Sequence, residues 1–473
     1  MAATGTVSLR ERVTVALAGV SAEALVLAGA IPILFIHLRY QPKFHIAAGS
    51  TTIGVELSDF AVLAVVIAGL VAGVRRGFAP LRRGRALWLS AALYFVWVGI
   101  DILIPLGAAG YPGAKHTVTA AKFLEYALLA PAVVLILRAH AELRLVFLVV
   151  TAWSALASVV GAVQFFGANI FVSGATGGRQ LSFLGFHDFA SLSAAALMLG
   201  AATIALPRLE LDRRVGWVAA VSGAVGVVLS AAIAAVVGIL VAAGALLVVT
   251  LVRREVDTRR LGAAGVVVAL AVIGAVGMRG TDLGRYVGFT EKHKQTGVQT
   301  YAHRTVLAYI GYRIWRDHPV AGVGWEASGD PPRFLPYVPA ARRKYPNEPD
   351  LAFPTANRRY GVQNFYVQTL ADLGLVGFLL LAAVFLSAVW LAARRIGSTT
   401  GVIALLWTLT VAGLWIAQGI VAGIPLDALT WLAVGLAAQG FGLSWALAGL
   451  VLVPVAVLLI PGRARSGVGV GGA

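Results

Sequence analysis

The sequence predicts an all-α integral membrane protein, a bundle of about 12 transmembrane helices with one large, partly helical extracytoplasmic loop. Three observations carry that expectation. Of 473 residues, 59% are hydrophobic and only 12% charged, with a mean hydropathy of +0.85, whereas a soluble domain carries about 25% charged residues. The apolar residues fall in uncharged blocks of roughly 17–25, the length a helix needs to cross hydrocarbon. Basic residues concentrate in alternate connections between those blocks, as the positive-inside bias requires. A cytosolic enzyme, a secreted disulfide domain and a DNA-binding protein are excluded, despite the net charge of +17. Cysteine is absent, which removes disulfides, thiolate metal sites and a cysteine nucleophile.

In chain order the expected spans are 15–38, 57–74, 86–106, 118–138, 143–166, 187–206, 214–229, 231–252 and 261–278, an N-terminal bundle of nine within residues 1–278. Arg10 and Arg12 precede the first block and no small-residue cleavage pattern follows it, so it reads as an uncleaved helix. After a hydrophilic stretch at 279–363 come 365–392, 401–423 and an apolar run at 426–461, within a C-terminal unit of 364–473. That run is too long for one upright helix, giving 12 or 13 spans; Arg463 and Arg465 favour an inside end and hence 12. With the N-terminus in the cytoplasm, the inner connections collect 18 basic residues, from Arg10 to Arg395, against 4 outside (Arg39, Lys43, Lys115 and Arg179). Most of the charge is therefore a topology signal and an attraction to anionic lipid headgroups. The expected setting is a bacterial cytoplasmic membrane.

Residues 279–363 break the pattern: the parity of spans puts them outside, yet they hold 13 Lys/Arg against 7 Asp/Glu. Within them Tyr301 to Trp315 reads as an amphipathic helix, with Leu307, Ile310 and Ile314 on one stripe. Pro319 would end it, and Gly322 to Trp325 reads as a turn at the membrane surface. The segment should form a cap over the outer face. No internal repeat is visible, and paired halves with matching broken helices are the usual mark of a transporter.

The chemistry candidates lie on this outer side. Arginine suits recognition of an anion, because its planar fork grips phosphate bidentately and stays charged; the plain alternative is a solvated surface. Arg304 stands in the first turn of the amphipathic helix, Arg358 and Arg359 just before span 365–392, and Arg179 before span 187–206. His187, His303 and His318 share the face, His187 with Asp188 beside it. None has the i, i+4 spacing of a helix-borne metal site, and no metal is expected. Lys122 and Glu125 lie inside a span at i, i+3, either as a functional pair or a structural ion pair.

The region from Tyr301 to Gly377 resembles the O-antigen ligase/polymerase superfamily of bacterial membrane glycosyltransferases. Arg304 with its helix and the run Pro319 to Trp325 is similar to the family's arginine, amphipathic helix, proline and glycine-x-glycine. Gln363 to Gly377 (QNFYVQTLADLGLVG) is similar to its His-Asn-x-Tyr-Leu-x-x-Leu-Ala-Glu-x-Gly-x-x-Gly. Gly178 to Phe183 and the helix opening at His187 resemble its earlier outer loop. The likeness implies transfer of a glycan from a polyprenyl pyrophosphate carrier to an acceptor sugar or glycolipid, with membrane lipids around the protein and no nucleotide sugar, metal or other cofactor. A pyrophosphate leaving group develops negative charge that arginines stabilise, and a base takes the acceptor's proton. Arg304, Arg179 and Asn364 are the matched positions. Arg358 and Arg359 are added on the residue-level reading as pyrophosphate ligands. Gln363, Asn364, His187 and His303 are the candidates for the catalytic side.

Two departures stand out. The family's histidine is Gln363, which hydrogen-bonds but takes no proton at neutral pH. Where the family tends to have Ser-Arg, an outer hairpin here reads Ser230-Ala231. His187, His303 or Asp188 could substitute, or the chemistry has changed or been lost. The expectation is a ligase- or polymerase-type glycosyltransferase. The alternatives are a flippase for lipid-linked glycan, with Lys122 and Glu125 lining its path, and a non-catalytic partner in polysaccharide assembly.

Overall fold

The computed structural model describes residues 19–48, 51–107, 111–171, 178–280, 283–284, 300–420 and 424–440. The N-terminal arginines, the start of the first span and the chain beyond residue 440 lie outside these. The helices are α1 (Ala22–Leu34), α2 (Leu57–Arg76), α3 (Arg85–Leu103), α4 (Gly113–Ala127), α5 (Leu129–Ile136), α6 (His140–Phe165), α7 (Phe186–Ala205), α8 (Arg213–Ser230), α9 (Ile233–Val252) and α10 (Thr258–Met278). The loop contributes α11 (Thr300–Asp317), α12 (Pro331–Phe334) and α13 (Val338–Lys344), and the chain returns through α14 (Phe365–Ala393), α15 (Thr399–Leu414) and α16 (Ile424–Ala438). Ten helical stretches among the described residues are long and apolar enough to span, with two shorter apolar helices beside them. The fold is an all-α integral membrane bundle. A hairpin that the hydropathy pattern does not reveal, β1 (Lys43–Ala48) with β2 (Thr51–Glu56), joins α1 to α2.

Sorting by face explains the packing. Leu63, Ile67 and Leu70 on α2, and Val266, Leu270 and Ile273 on α10, are exposed at i, i+3/i+4 spacing, as lipid-facing stripes are. At the centre, every residue of α7 from Phe189 to Ala205 is buried. Its small side chains let α8 approach backbone to backbone: a Cβ on Gly200 would lie 2.3 Å from the Ala220 nitrogen, and one on Gly223 2.4 Å from that of Leu197. Close approach through small residues is how helices associate where lipid removes the hydrophobic drive.

From Thr300 onward the large loop is docked on the bundle. Val306, Ile310 and Ile314 of α11 pack with Phe334, Ala341 and Phe353 in a core of their own. Trp325, fully buried, donates from Nε1 to Thr119 Oγ1 at 3.0 Å. His116 Nε2 meets Asp330 Oδ2 at 2.8 Å. The stretch expected as a turn does turn, with Gly322 at φ +72 and Gly324 at φ +113, and it is laid into a break in α14. Val323 and Gly324 donate to the carbonyls of Ala371 and Asp372 (both 3.0 Å), while Leu375 and Val376 donate back to Pro319 and Val320 (2.9 and 3.2 Å). Lys122 and Glu125 do not pair with each other as the spacing allowed. Lys122 Nζ reaches Asp59 Oδ2 at 2.9 Å and ties α4 to α2.

Candidate functional site

The ends of α8, α10 and α15 and the starts of α7, α9 and α14 meet on one face of the bundle, and α11 lies across them. Between them is a cavity of about 310 Å³. Its polar lining is Arg179, His187, Arg279, Tyr301, Arg304, Thr305, Gln363 and Asn364; Ala231, Ala232, Ile233, Val237 and Ile416 supply much of the apolar wall. Among the described residues its lining contains three guanidinium groups and no carboxylate.

Local structure places each group. Gly185 precedes α7 at φ +102, where a Cβ would press to 2.7 Å from the His37 ring, so the turn that presents His187 needs glycine. Asp188, the next residue, does not line the cavity. Arg179 is fixed at the α8–α9 corner. Its Nε donates to the Ser230 carbonyl at 2.8 Å, the neighbouring Gln180 amide donates to Leu229 at 2.9 Å, and its guanidinium lies 4.3 Å over the Phe186 ring. Ala231 itself turns the corner at φ +46.

On α11, residues 301, 304, 305 and 308 form the stripe that faces the cavity, opposite its apolar face. Arg304 Nε donates to Gln363 Oε1 at 3.3 Å, and Nη2 lies 3.2 Å from His187 Nε2. A guanidinium only donates, so the imidazole nitrogen accepts there and carries no proton. Burial pulls the pKa of Arg304 below its ordinary value, and Arg279 pulls in the same direction. Asn364 caps α14, accepting from the Val367 amide at 3.0 Å, and its Nδ2 donates to the Ile416 carbonyl at 3.0 Å.

Five of the eight residues singled out in the sequence thus share one cavity: Arg179, His187, Arg304, Gln363 and Asn364. His303, Arg358 and Arg359 do not line it. His303 precedes Arg304 on the helix and is turned towards Tyr360, whose ring it meets edge-on at 4.3 Å. Arg359 is exposed, donating to the Ala356 carbonyl. Sequence reasoning missed Arg279 and Tyr301, joined by a 3.2 Å bond from Arg279 Nε to the phenol oxygen. Tyr301 lies one helical turn before Arg304, and that spacing was the available signal; Arg279 was hidden among the basic residues at the loop boundary. Among the described residues, no three His, Cys, Asp or Glu are grouped to hold a metal.

Comparison with known families gives one result. Residues 218–382 match the model of the O-antigen ligase family, a stretch that holds the α8–α9 corner, Arg279, Arg304 and Gln363 and stops short of Arg179 and His187. The likeness to the O-antigen ligase/polymerase superfamily is borne out over this stretch of the chain. No curated protein matches the chain.

Proposed function

We propose that the chain is a glycosyltransferase of the ligase/polymerase type. It moves a glycan from a polyprenyl pyrophosphate carrier to an acceptor sugar or glycolipid at the outer face of the cytoplasmic membrane, with its N-terminus inside. The observation that carries this reading is the cavity whose described lining has three guanidinium groups, no carboxylate and an apolar wall. Such a lining favours an anion attached to a hydrocarbon tail, which describes a lipid pyrophosphate.

Arg304, Arg179 and Arg279 neutralise the pyrophosphate as it departs. The acceptor's hydroxyl oxygen bonds to the anomeric carbon while that carbon's bond to the pyrophosphate oxygen breaks, and the pyrophosphate keeps the bonding pair. Phosphate oxygens draw the N–H groups of Arg304 away from His187, whose Nε2 is then free to take the hydroxyl proton. Gln363 orients Arg304 and takes no proton. The flippase reading lines its path with Lys122 and Glu125, and of these Lys122 is bonded to Asp59 as a tie between helices.

The test follows release of free polyprenyl pyrophosphate from a lipid-linked glycan donor, with protein in nanodiscs and a candidate acceptor present. Wild type should release it, and Arg304→Ala should lose about 10²–10³ in rate. A gain in Gln363→His would show that a titratable group there is limiting. Equal release by wild type and folded Arg304→Ala would sink the proposal. Binding without release in every variant would favour the assembly-partner reading.

A further inference from the structure

Two buried polar groups beside the cavity hydrogen-bond to no protein atom, Nε2 of His303 and Nη1 of Arg358. They are neighbours: His303 meets the ring of Tyr360 edge-on at 4.3 Å, Tyr360 follows Arg358 closely in the chain, and His303 is held below its ordinary pKa first by burial, then by the charges of Arg304 and Arg358. Arg358 is set by its backbone, which exchanges hydrogen bonds with Thr355 at 3.0 Å in both directions. Its other terminal nitrogen, Nη2, reaches only the Asp350 carbonyl at 3.5 Å, while the Asp350 carboxylate bonds to Arg342. Among the described residues, no carboxylate lies within ion-pairing distance of Arg358. Buried donors without partners are costly, and native proteins rarely leave them so. A guanidinium with no ion pair among the described residues, its nearest acid Asp350 bonded to Arg342, an imidazole with an open nitrogen and the Tyr360 ring stand together one helix face away from the cavity.

We propose that His303, Arg358 and Tyr360 form the acceptor subsite, and that it takes a sugar bearing a carboxylate. The guanidinium fork matches a carboxylate, the neutral imidazole serves a ring hydroxyl, and Tyr360 offers an apolar face to the sugar ring. The excess of basic residues across 279–363, 13 against 7 acidic, agrees with an anionic glycan. The assignment rests on the reading that the adjoining cavity holds the donor's pyrophosphate, and it gives a separate role to two residues that do not line that cavity.

The test is binding, which needs no turnover. Two probes are titrated against the full chain in nanodiscs with methylenediphosphonate present: a disaccharide containing a uronic acid, and the same disaccharide with its carboxyl reduced to an alcohol. Wild type should bind the acid form about ten- to a hundredfold more tightly. Arg358→Ala should erase the difference, and Arg358→Lys, which keeps the charge and loses the fork, should keep part of it. His303→Ala should weaken both probes alike, with His303→Gln restoring them. All four variants should bind methylenediphosphonate as wild type does, and Arg304→Ala should not. No preference in wild type, or one that survives Arg358→Ala, overturns the subsite and leaves these atoms to structural water. Diphosphonate binding retained by Arg304→Ala overturns the donor reading instead.

Discussion

Arg304 bonds two side chains that lie 117 and 59 residues away along the chain, His187 and Gln363. One guanidinium thus joins α7, α11 and the start of α14, and its position on the polar stripe of an amphipathic helix is what made it visible in the sequence. Asn364 was visible for a different reason, as a helix cap: its two bonds go to backbone, so it shapes the site more than it acts there. Arg279 was not legible, because a basic residue at a loop boundary looks like any other until burial shows otherwise, whereas Tyr301 had a signal in its spacing to Arg304 that went unread. At this scale the sign of one pH effect follows. Burial, then the charges of Arg304 and Arg358, lower the pKa of His303, so the imidazole is neutral at neutral pH and protonates only in more acid solution than an ordinary histidine does. Replacing Arg358 by Gln removes a like charge and should shift that protonation to higher pH. Titration of the ring signals by NMR, with the His303 signal identified by its disappearance in His303→Gln, checks it. An unmoved titration would mean the two groups do not interact.

The break in α14 shows how a helix carries a loop. Gly374 sits at φ 66, ψ −167, a region essentially closed to side chains. Carbonyls and amides freed by the break find partners outside the helix. Ala371 and Asp372 accept from Val323 and Gly324, Leu375 and Val376 donate to Pro319 and Val320, and the Leu373 carbonyl accepts from Trp97 Nε1 at 3.0 Å. Non-helical backbone at membrane depth survives only when it is satisfied this way. A Cβ on Gly374 would stand 2.1 Å from the Val320 oxygen, and one on Gly322 2.2 Å from that of Asp372. Gly374→Ala should therefore cost roughly 2–4 kcal/mol from backbone strain and overpacking. It should lower the melting temperature in detergent and loosen the loop to proteolysis, whereas Gly265→Ala, with open space around it, should do neither. An unchanged melting curve for Gly374→Ala would remove this account of the docking. The helices themselves were legible from block length and the α11 stripe. The turn at 322–324 was legible from its glycines, but its partner, a broken helix some 50 residues on, was not, since no local pattern carries that pairing. The β1–β2 hairpin escaped for the same reason, its pairs running from Lys43–Glu56 to Ala48–Thr51 in a stretch with no strong alternation.

Across the whole molecule, the arginines expected on the inner side have a second use beside the topology signal. Arg138 donates to the carbonyls of Arg76 and Gly77 at the end of α2 (2.7 and 2.5 Å). Arg395 does the same for Ala437 and Gln439 at the end of α16 (3.2 and 2.5 Å). Cations at helix C-termini satisfy the last carbonyls and the negative end of the dipole. The bias that reads as topology in the sequence is therefore also packing, and the two readings separate only when the sides of the membrane are measured. The absence of cysteine makes that measurement clean. Arg343, exposed on the loop, and Arg82, exposed between α2 and α3, stand at opposite ends of the expected orientation. Neither forms an ion pair among the described residues, so single cysteines there should leave the fold intact. In intact cells a membrane-impermeant maleimide should label Arg343→Cys and spare Arg82→Cys until the membrane is opened. The reverse pattern would place the guanidinium cavity on the cytoplasmic side. The donor would then be bound before it crosses the membrane, so a transferase acting outside would be ruled out and a flippase would regain its claim.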